Sequence, residues 1–249
     1  MADSIYHCHF HVSTRDCDNR ETLKLLSLLD YLQEAAWYNA SRLNFSTHDL
    51  LKHGITWVMN RMKIQFHRMP NHQEKFTVET WPAGMDKYYT QRDFKVWDER
   101  GNLLIEATSN WLVMDVKERR LIPIPDFIKD ARLVENRGNQ DAASGKIKFV
   151  HEQVENSKLI EVSWFDLDIN DHVNNVKFYQ WLLDSFDGEF LQNNELKEID
   201  VIFKHEAKYG DSFESKSYFV PNENLYYHCL FNKKSGLESV LAKARFESN

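Results

Sequence analysis

Residues 164–181, WFDLDINDHVNNVKFYQW, concentrate the polar side chains most able to do chemistry. Asp166, Asp168, Asn170, Asp171, His172, Asn174 and Asn175 all fall within ten positions. Asp and Asn are good helix N-caps, which accounts for part of the crowding at Asp171, Asn174 and Asn175. It does not account for His172, nor for the alternation of Asp168, Asn170 and His172. In an extended stretch, residues i, i+2 and i+4 point the same way, so these three would converge on one pocket. An amide donor can hold a carbonyl oxygen as charge develops on it. An imidazole can move a proton near neutral pH. A carboxylate can orient that imidazole or attack directly. Such a set suits acyl chemistry. A capped helix start with a surface histidine is the alternative, and spacing alone leaves both open.

The elements that would position this segment repeat. Residues 5–14 read as a strand, and 22–44 as a helix with Leu25, Leu28, Leu29, Leu32, Ala35, Ala36 and Leu43 at helical spacing. Residues 55–69 alternate at period two, and strand-like runs follow at 74–82, 87–98 and 103–115. Asp98-Glu99-Arg100-Gly101-Asn102 is a hairpin turn signal. After a small, polar, aperiodic stretch the order returns: a strand at 158–165, a helix at 174–191, and strands at 199–207, 212–220, 225–232 and 237–247. The halves also align weakly by residue, Ile64-Gln65-Phe66 against Val201-Ile202-Phe203 and Phe76 against Phe213. Asp16 and Asp18 fall against Asp166 and Asp168, while Arg20, Thr22 and Met69 lie against Asn170, His172 and Glu206. One long helix against a curved antiparallel sheet, twice over, is an α+β architecture. The expected division is 1–130, a linker over 131–156, and 157–249.

Composition narrows the function classes. The 249 residues carry a net charge of −7, which disfavours a non-specific nucleic-acid binder. No apolar run reaches the roughly 18 residues of a membrane span, and the first residues lack a signal-peptide core. Cys8, Cys17 and Cys229 are odd in number and lack CxxC spacing, which points to a reducing cytoplasm. His7, His9 and His11 alternate on a strand, but no Cys or carboxylate at a ligand spacing supports them, so no metal is expected. There is no phosphate-cradling glycine loop and no GxSxG elbow.

DLDINDHVNN resembles the active-site segment of plant and bacterial acyl-acyl-carrier-protein thioesterases, in which Asp-x-Asn-x-His precedes the central helix of the second of two hot-dog units. Residues 57–70, WVMNRMKIQFHRMP, resemble the strand after that family's N-terminal helix. Trp111-Leu112-Val113-Met114-Asp115, followed by Arg119-Arg120-Leu121 and Ile124-Pro125, resembles the close of the first unit. The resemblance runs from about Thr14 to Arg245 and implies a double hot-dog fold. It also implies hydrolysis of acyl-acyl-carrier-protein to free fatty acid, with Asp168, Asn170 and His172 in the site. The family's remaining acid falls on Glu206, expected on a strand. Many plant members carry a Cys after this acid; here Ala207 stands there, which argues against a cysteine nucleophile. The resemblance places the acyl pocket in the first unit, with Trp57, Met59, Arg61 and Met62 on its wall. No cofactor is expected, because the sequence offers no credible ligand set. The implied partner is an acyl carrier protein bearing acyl-phosphopantetheine, and a monomer and a homodimer both stay open. An acyl-coenzyme A thioesterase and a non-catalytic acyl-thioester-binding module are the rival readings.

Overall fold

The computed structural model describes residues 4–129, 133–134 and 145–248, and the chain divides into two compact units, 1–143 and 144–249. The first unit opens with strand β1 (Tyr6–His11) and helix α1 (Leu25–Arg42), then a short helix α2 (Thr47–Leu51) and strands β2 (Ile55–Phe66), β3 (Lys75–Met85), β4 (Thr90–Asp98), β5 (Leu103–Asp115) and β6 (Arg120–Ile122). Its sheet is antiparallel in the order β1-β3-β4-β5-β2, with β6 on β5. Leu28, Leu29, Leu32 and Ala35 of α1 are buried, the apolar stripe that the helical spacing predicts. Phe10 and Phe76 meet Tyr31 of α1 with ring centroids 4.5 and 5.4 Å apart, so this face of the sheet carries the helix. The β4–β5 turn forms where expected: Gly101 takes φ +79°, and Asp98 Oδ1 accepts the amides of Arg100 and Asn102 at 2.9 and 2.8 Å.

After a one-turn helix α3 (Asp126–Lys129), the second unit repeats the plan. Strand β7 (Asn156–Glu161) leads to helix α4 (Asn175–Leu183), helix α5 (Gly188–Asn193) and strands β8 (Asn194–Phe203), β9 (Ser212–Val220), β10 (Leu225–Asn232) and β11 (Leu237–Ser248). The order is β7-β9-β10-β11-β8, again antiparallel. Phe178 and Trp181 of α4 pack on Phe213, with centroids 6.4 and 5.7 Å apart. Each unit is a hot-dog, a helix held by one antiparallel sheet.

Three expectations need correcting. The helix expected over 174–191 is two helices, because Asp187 accepts the Phe190 amide at 2.7 Å and starts α5 afresh. The strand expected to reach residue 207 ends at Phe203. The amides of Lys204 and His205 both go to the Ser239 carbonyl, at 2.9 and 3.2 Å, so the ladder stops and Glu206 lies in a loop. Of the linker expected over 131–156, residues 131–132 and 135–144 lie outside the described residues, and its last part packs on the second unit. Ile147 is buried with Cys229 and Leu241, and Phe149 and His151 meet neighbouring rings edge-on or tilted.

His228, on the helix side of β10, is fully enclosed, with the ring of Phe186 edge-on at 5.2 Å. Burial pushes its imidazole down to about 4, against a smaller opposing effect of the Leu182 carbonyl. The folded state therefore refuses a proton that the unfolded chain accepts from about pH 6.5 downward, and stability falls as pH drops from 6.5 towards 4. The loss expected is about 3 kcal/mol for 2.5 pH units at 1.36 kcal/mol each. Urea unfolding at pH 7 and pH 4.5 should show it, and His228→Leu should flatten it. Equal pH slopes in both proteins would contradict this assignment.

Candidate active site

The site is built on a loop that occurs twice. In the second unit, Ser163 and Asp166 close a single-turn 3-10 helix, with the Ser163 amide donating to Asp166 Oδ2 at 2.9 Å. The chain then folds back on itself. Asp168 N donates to the His172 carbonyl at 2.7 Å, Leu167 pairs with Val173, and Asp171 takes φ +60°. Asp tolerates this left-handed conformation better than most residues. Asn174 then caps α4, its Oδ1 accepting from Val176 N at 3.0 Å.

The first unit has the same loop. Ser13 and Asp16 close a 3-10 turn, Cys17 pairs with Leu23, and Glu21 takes φ +59°. Leu23 N donates to the Pro70 carbonyl at 2.8 Å, as Val173 N does to Ala207 at 2.8 Å. Lys24 N reaches the Asp16 carbonyl at 2.8 Å, as Asn174 N reaches Asp166 at 2.9 Å. The residue correspondence read from sequence is thus matched bond for bond, and it sets Arg20, Thr22 and Met69 where the second unit has Asn170, His172 and Glu206.

An aspartate at 168 and at 18 is also common to both loops, and its geometry shows why. Asp168 Oδ1 accepts the amides of Asn170 and His172 at 2.8 and 3.4 Å. Asp18 Oδ1 accepts those of Arg20 and Thr22 at 2.9 and 3.2 Å. Burial pushes the Asp18 carboxyl up, but these bonds and those from the Arg20 and Thr22 side chains outweigh it and hold it below the usual carboxylate range. The aspartate is a device for closing this loop, with or without a histidine beside it.

The second unit adds one pair. His172 Nε2 lies 3.2 Å from Glu206 Oε2, and both side chains are partly exposed. The Val173–Ala207 backbone bond places the two loops side by side, so this contact follows from the scaffold. Asn170 is exposed, its Nδ2 only 3.4 Å from Asp168 Oδ2. The expected convergence of Asp168, Asn170 and His172 through an extended stretch is therefore wrong in its geometry. A closed turn carries them: Asp168 faces the loop backbone, Asn170 faces outward, and His172 faces Glu206.

The four expected pocket residues separate. A bulge at Asn60 shifts the β2 register between Met59 and Arg61. Trp57, Met59 and Met62 then share a face with Val113, Trp111 and Ser109, while Arg61 falls on the other with Asn110. In the next strand Arg92 pairs with Ser109, and its Nη1 donates to Asn39 of α1 at 2.7 Å, so the Trp57–Met59–Met62 face is the one under the helix. Arg61 is buried, but on the opposite side of the sheet. Simple alternation cannot foresee a bulge.

Among the described residues, His151, Cys229 and Glu238 are the group whose donor atoms come within 4.8 Å of one another. His151 and Lys204 already occupy the Glu238 carboxylate at 3.1 and 2.9 Å, and burial pushes the Cys229 thiol up to about 12. A protonated thiol and an occupied carboxylate make a poor ligand set.

The model of the acyl-ACP thioesterase N-terminal domain matches residues 3–132, and that of the acyl-ACP thioesterase C-terminal domain matches residues 150–248. The chain belongs to the acyl-ACP thioesterase family. Among curated members of the family, the chloroplastic palmitoyl-acyl carrier protein thioesterase of Cuphea hookeriana is 27% identical over 88% of this chain and 55% of its own length. The chloroplastic oleoyl-acyl carrier protein thioesterase 2 of Arabidopsis thaliana is 28% identical over 96% of this chain and 68% of its own length. The chain thus spans little more than half to two-thirds of these relatives. Two solved structures share the fold of this acyl-ACP thioesterase family member across nearly their whole length. An acyl-ACP thioesterase from Bacteroides thetaiotaomicron matches with TM-score 0.88 at 24% identity, covering 98% of each chain. The 12:0-ACP thioesterase from Umbellularia californica matches with TM-score 0.90 at 20% identity, covering 100% of this chain and 99% of that one. Among the described residues of this family member, no helix is long and apolar enough to cross a membrane.

Proposed function

We propose that this chain hydrolyses the thioester of acyl-acyl-carrier-protein, releasing a free fatty acid and the carrier's thiol, with the chemistry in the second unit. The observation that carries the reading is the 3.2 Å contact between His172 and Glu206 on a loop scaffold whose other copy has Thr22 and Met69. Water attacks the thioester carbonyl carbon while His172 takes its proton, and Glu206 stabilises the imidazolium that forms. The Asn170 amide, exposed beside the histidine, donates to the carbonyl oxygen as it becomes an oxyanion. The carbon–sulfur bond then breaks, and the thiolate leaves with the proton that His172 returns. Asp168 holds the turn that presents Asn170 and His172 and makes no bond to substrate. Family membership and the names of the curated relatives support the substrate class. Thiol release measured with acyl-carrier-protein and acyl-coenzyme A substrates tests the reading. Faster turnover of the carrier-borne thioester is expected, and no thiol release from any acyl thioester would overturn it.

In the same reading the first unit holds the acyl chain against Trp57, Met59 and Met62. Each methylene buried is worth about 0.8 kcal/mol, so a resized wall should shift chain-length preference by a few-fold per carbon. Met59→Ala and Met62→Ala should change the profile over a series of acyl chain lengths more than they change turnover on the best substrate. Arg61→Met, on the opposite face, should leave the profile where it is. Lost stability with an unchanged profile in both Met variants would make these residues ordinary core.

A further inference from the structure

The first unit encloses a cation that no carboxylate among the described residues neutralises. Arg92, on the helix side of β4, donates from Nη1 to Asn39 Oδ1 at 2.7 Å and to Thr80 Oγ1 at 3.2 Å. Both acceptors are neutral. Asn39 is itself fully buried and fixed, its Nδ2 donating to the Ser4 carbonyl at 3.2 Å. Asp93, next in sequence, faces the other side of the sheet, where Gln91 and Thr108 donate to it at 3.2 and 2.8 Å. Among the described residues Nε and Nη2 of Arg92 have no partner, and both keep accessible surface. The surrounding protein is nonetheless close enough that desolvation pulls the guanidinium down to about 10. A charge so surrounded and still open along one edge lines a cavity. The fold does not require the charge. Asp98 of β4 pairs with Phe76 as Asn232 of β10 pairs with Phe213, so Tyr226 holds the register position of Arg92 in the second unit. Its ring packs among Phe186, Phe190, Phe219 and Phe246, with centroids 5.0, 5.3, 4.7 and 5.8 Å away. Aromatic packing serves that place in one unit. In the other stands a guanidinium without a counter-charge, a costly arrangement that an anionic ligand relieves.

We propose that the first unit binds an aliphatic carboxylate, its two oxygens on Nε and Nη2 of Arg92 and its chain along Met62, Trp111 and Met59. The open Nε–Nη2 edge presents two parallel N–H groups, the fork that fits a carboxylate. Register supplies the seat for the chain. Arg92 pairs with Ser109 and Ser109 with Met62, which puts Met62 two strands away on the same face, at about 10 Å. In the next row of that face Thr90 pairs with Trp111 and Trp111 with Met59. Trp111 is partly exposed, as Arg92 is, and its Nε1 is taken by Ser109 Oγ at 2.8 Å. What the indole offers a ligand is therefore its apolar surface. A small inorganic anion leaves this wall bare, and an uncharged chain leaves the guanidinium unpaired. A carboxylate on an alkyl chain satisfies both. This site goes beyond the hydrolytic reading and needs no hydrolysis. The bound acid competes for the wall on which that reading lays the acyl chain. Two sources supply such a carboxylate: a free fatty acid, or an acyl chain with a second carboxylate at its far end.

The test is calorimetric titration of the full chain carrying His172→Ala with dodecanoate below its micellar concentration. The background substitution removes the other imidazole or guanidinium seat a carboxylate would find beside Glu206, and no turnover is needed. Adding Arg92→Met should weaken dodecanoate binding about 10- to 100-fold, as expected for a lost charge-assisted pair. Dodecanamide, with the same chain and no charge, should bind more weakly than dodecanoate and respond to Arg92→Met by less than about threefold. Arg92→Met also strands the Asn39 and Thr80 acceptors. Arg92→Gln keeps a donor for them, and it should show the same loss with the circular dichroism of the parent. Dodecanoate affinity unchanged in Arg92→Gln would overturn the proposal, and so would equal affinity of the parent for dodecanoate and dodecanamide. Two further arms on the His172 protein identify the source. Competitive inhibition of acyl-carrier-protein hydrolysis by dodecanoate, relieved in Arg92→Gln, assigns the site to the free acid. Faster hydrolysis of a thioester whose acyl chain ends in a second carboxylate, lost in Arg92→Gln, assigns it to the substrate. A chain that hydrolyses nothing leaves the calorimetric result standing, so failure of the hydrolytic reading and failure of this site are distinguishable.

Discussion

His172→Ala and Glu206→Gln should each lower kcat by at least about 10²-fold with the melting temperature little changed, since a lost general base or its partner typically costs that much. The reason for expecting intact folding is local. The ring of His172 and the Glu206 carboxylate are both partly exposed and contact each other. The backbone bonds that shape the two loops, Asp168–His172 and Val173–Ala207, involve neither side chain. Glu206→Gln is the more informative of the two. It keeps the size and a hydrogen-bond acceptor while removing the charge that stabilises the imidazolium, so its loss should fall on kcat and leave KM in place. Near-normal turnover in both variants would make the segment a capped helix start and nothing more.

Asp168 should separate into two effects according to what replaces it. Asp168→Asn keeps an oxygen that can accept the amides of Asn170 and His172, so the loop should close and part of the activity should survive. Asp168→Ala loses that acceptor, and turnover should fall towards the level of His172→Ala, with a loss of stability of about 1 kcal/mol, the usual worth of such a local bond. Asp18→Ala in the first unit should destabilise by a similar amount, because Asp18 accepts the same two amides. A nucleophilic Asp168 would behave otherwise. Asp168→Asn would be inert, and a single turnover in ¹⁸O-labelled water would leave label in the Asp168 carboxylate. The presence of the same aspartate in a loop with Thr22 in place of histidine is the physical ground for expecting the first pattern.

The sequence made the periodic parts of this molecule legible. The strands of both sheets and the long first helix follow from alternation and helical spacing, because a half-buried strand or an amphipathic helix must show its period. What escaped was set by single bonds. The end of β8 depends on two amides sharing the Ser239 carbonyl, and that sharing leaves Glu206 in a loop beside His172. The bulge at Asn60 turns Arg61 away from Met59 and Met62, and nothing in the run of residues 57–62 marks it. The tight turn at Asp171 was hidden for a different reason. Asp at a positive φ is uncommon, and the alternation of Asp168, Asn170 and His172 imitates a strand. The members of the site were legible through resemblance and composition. Their arrangement was not, because a loop closed by Asp168 presents its side chains outward in a way that period-two reasoning cannot produce. The weak internal repeat carries the correspondence of Met69 with Glu206 and of Thr22 with His172 in the sequence itself.

The central claim, that one copy of a duplicated loop scaffold hydrolyses thioesters and the other only supports, is tested most directly by transplanting residues between the copies. Asn170→Arg, His172→Thr and Glu206→Met together place the first unit's side chains on the second unit's loop. Thiol release from acyl-carrier-protein under single-turnover conditions is then measured against wild type. The expected result is a folded protein whose rate is lower by at least about 10³-fold, since a base, its partner and an oxyanion donor are lost together. Release within about tenfold of the wild-type rate would contradict it and would place the chemistry elsewhere in the chain.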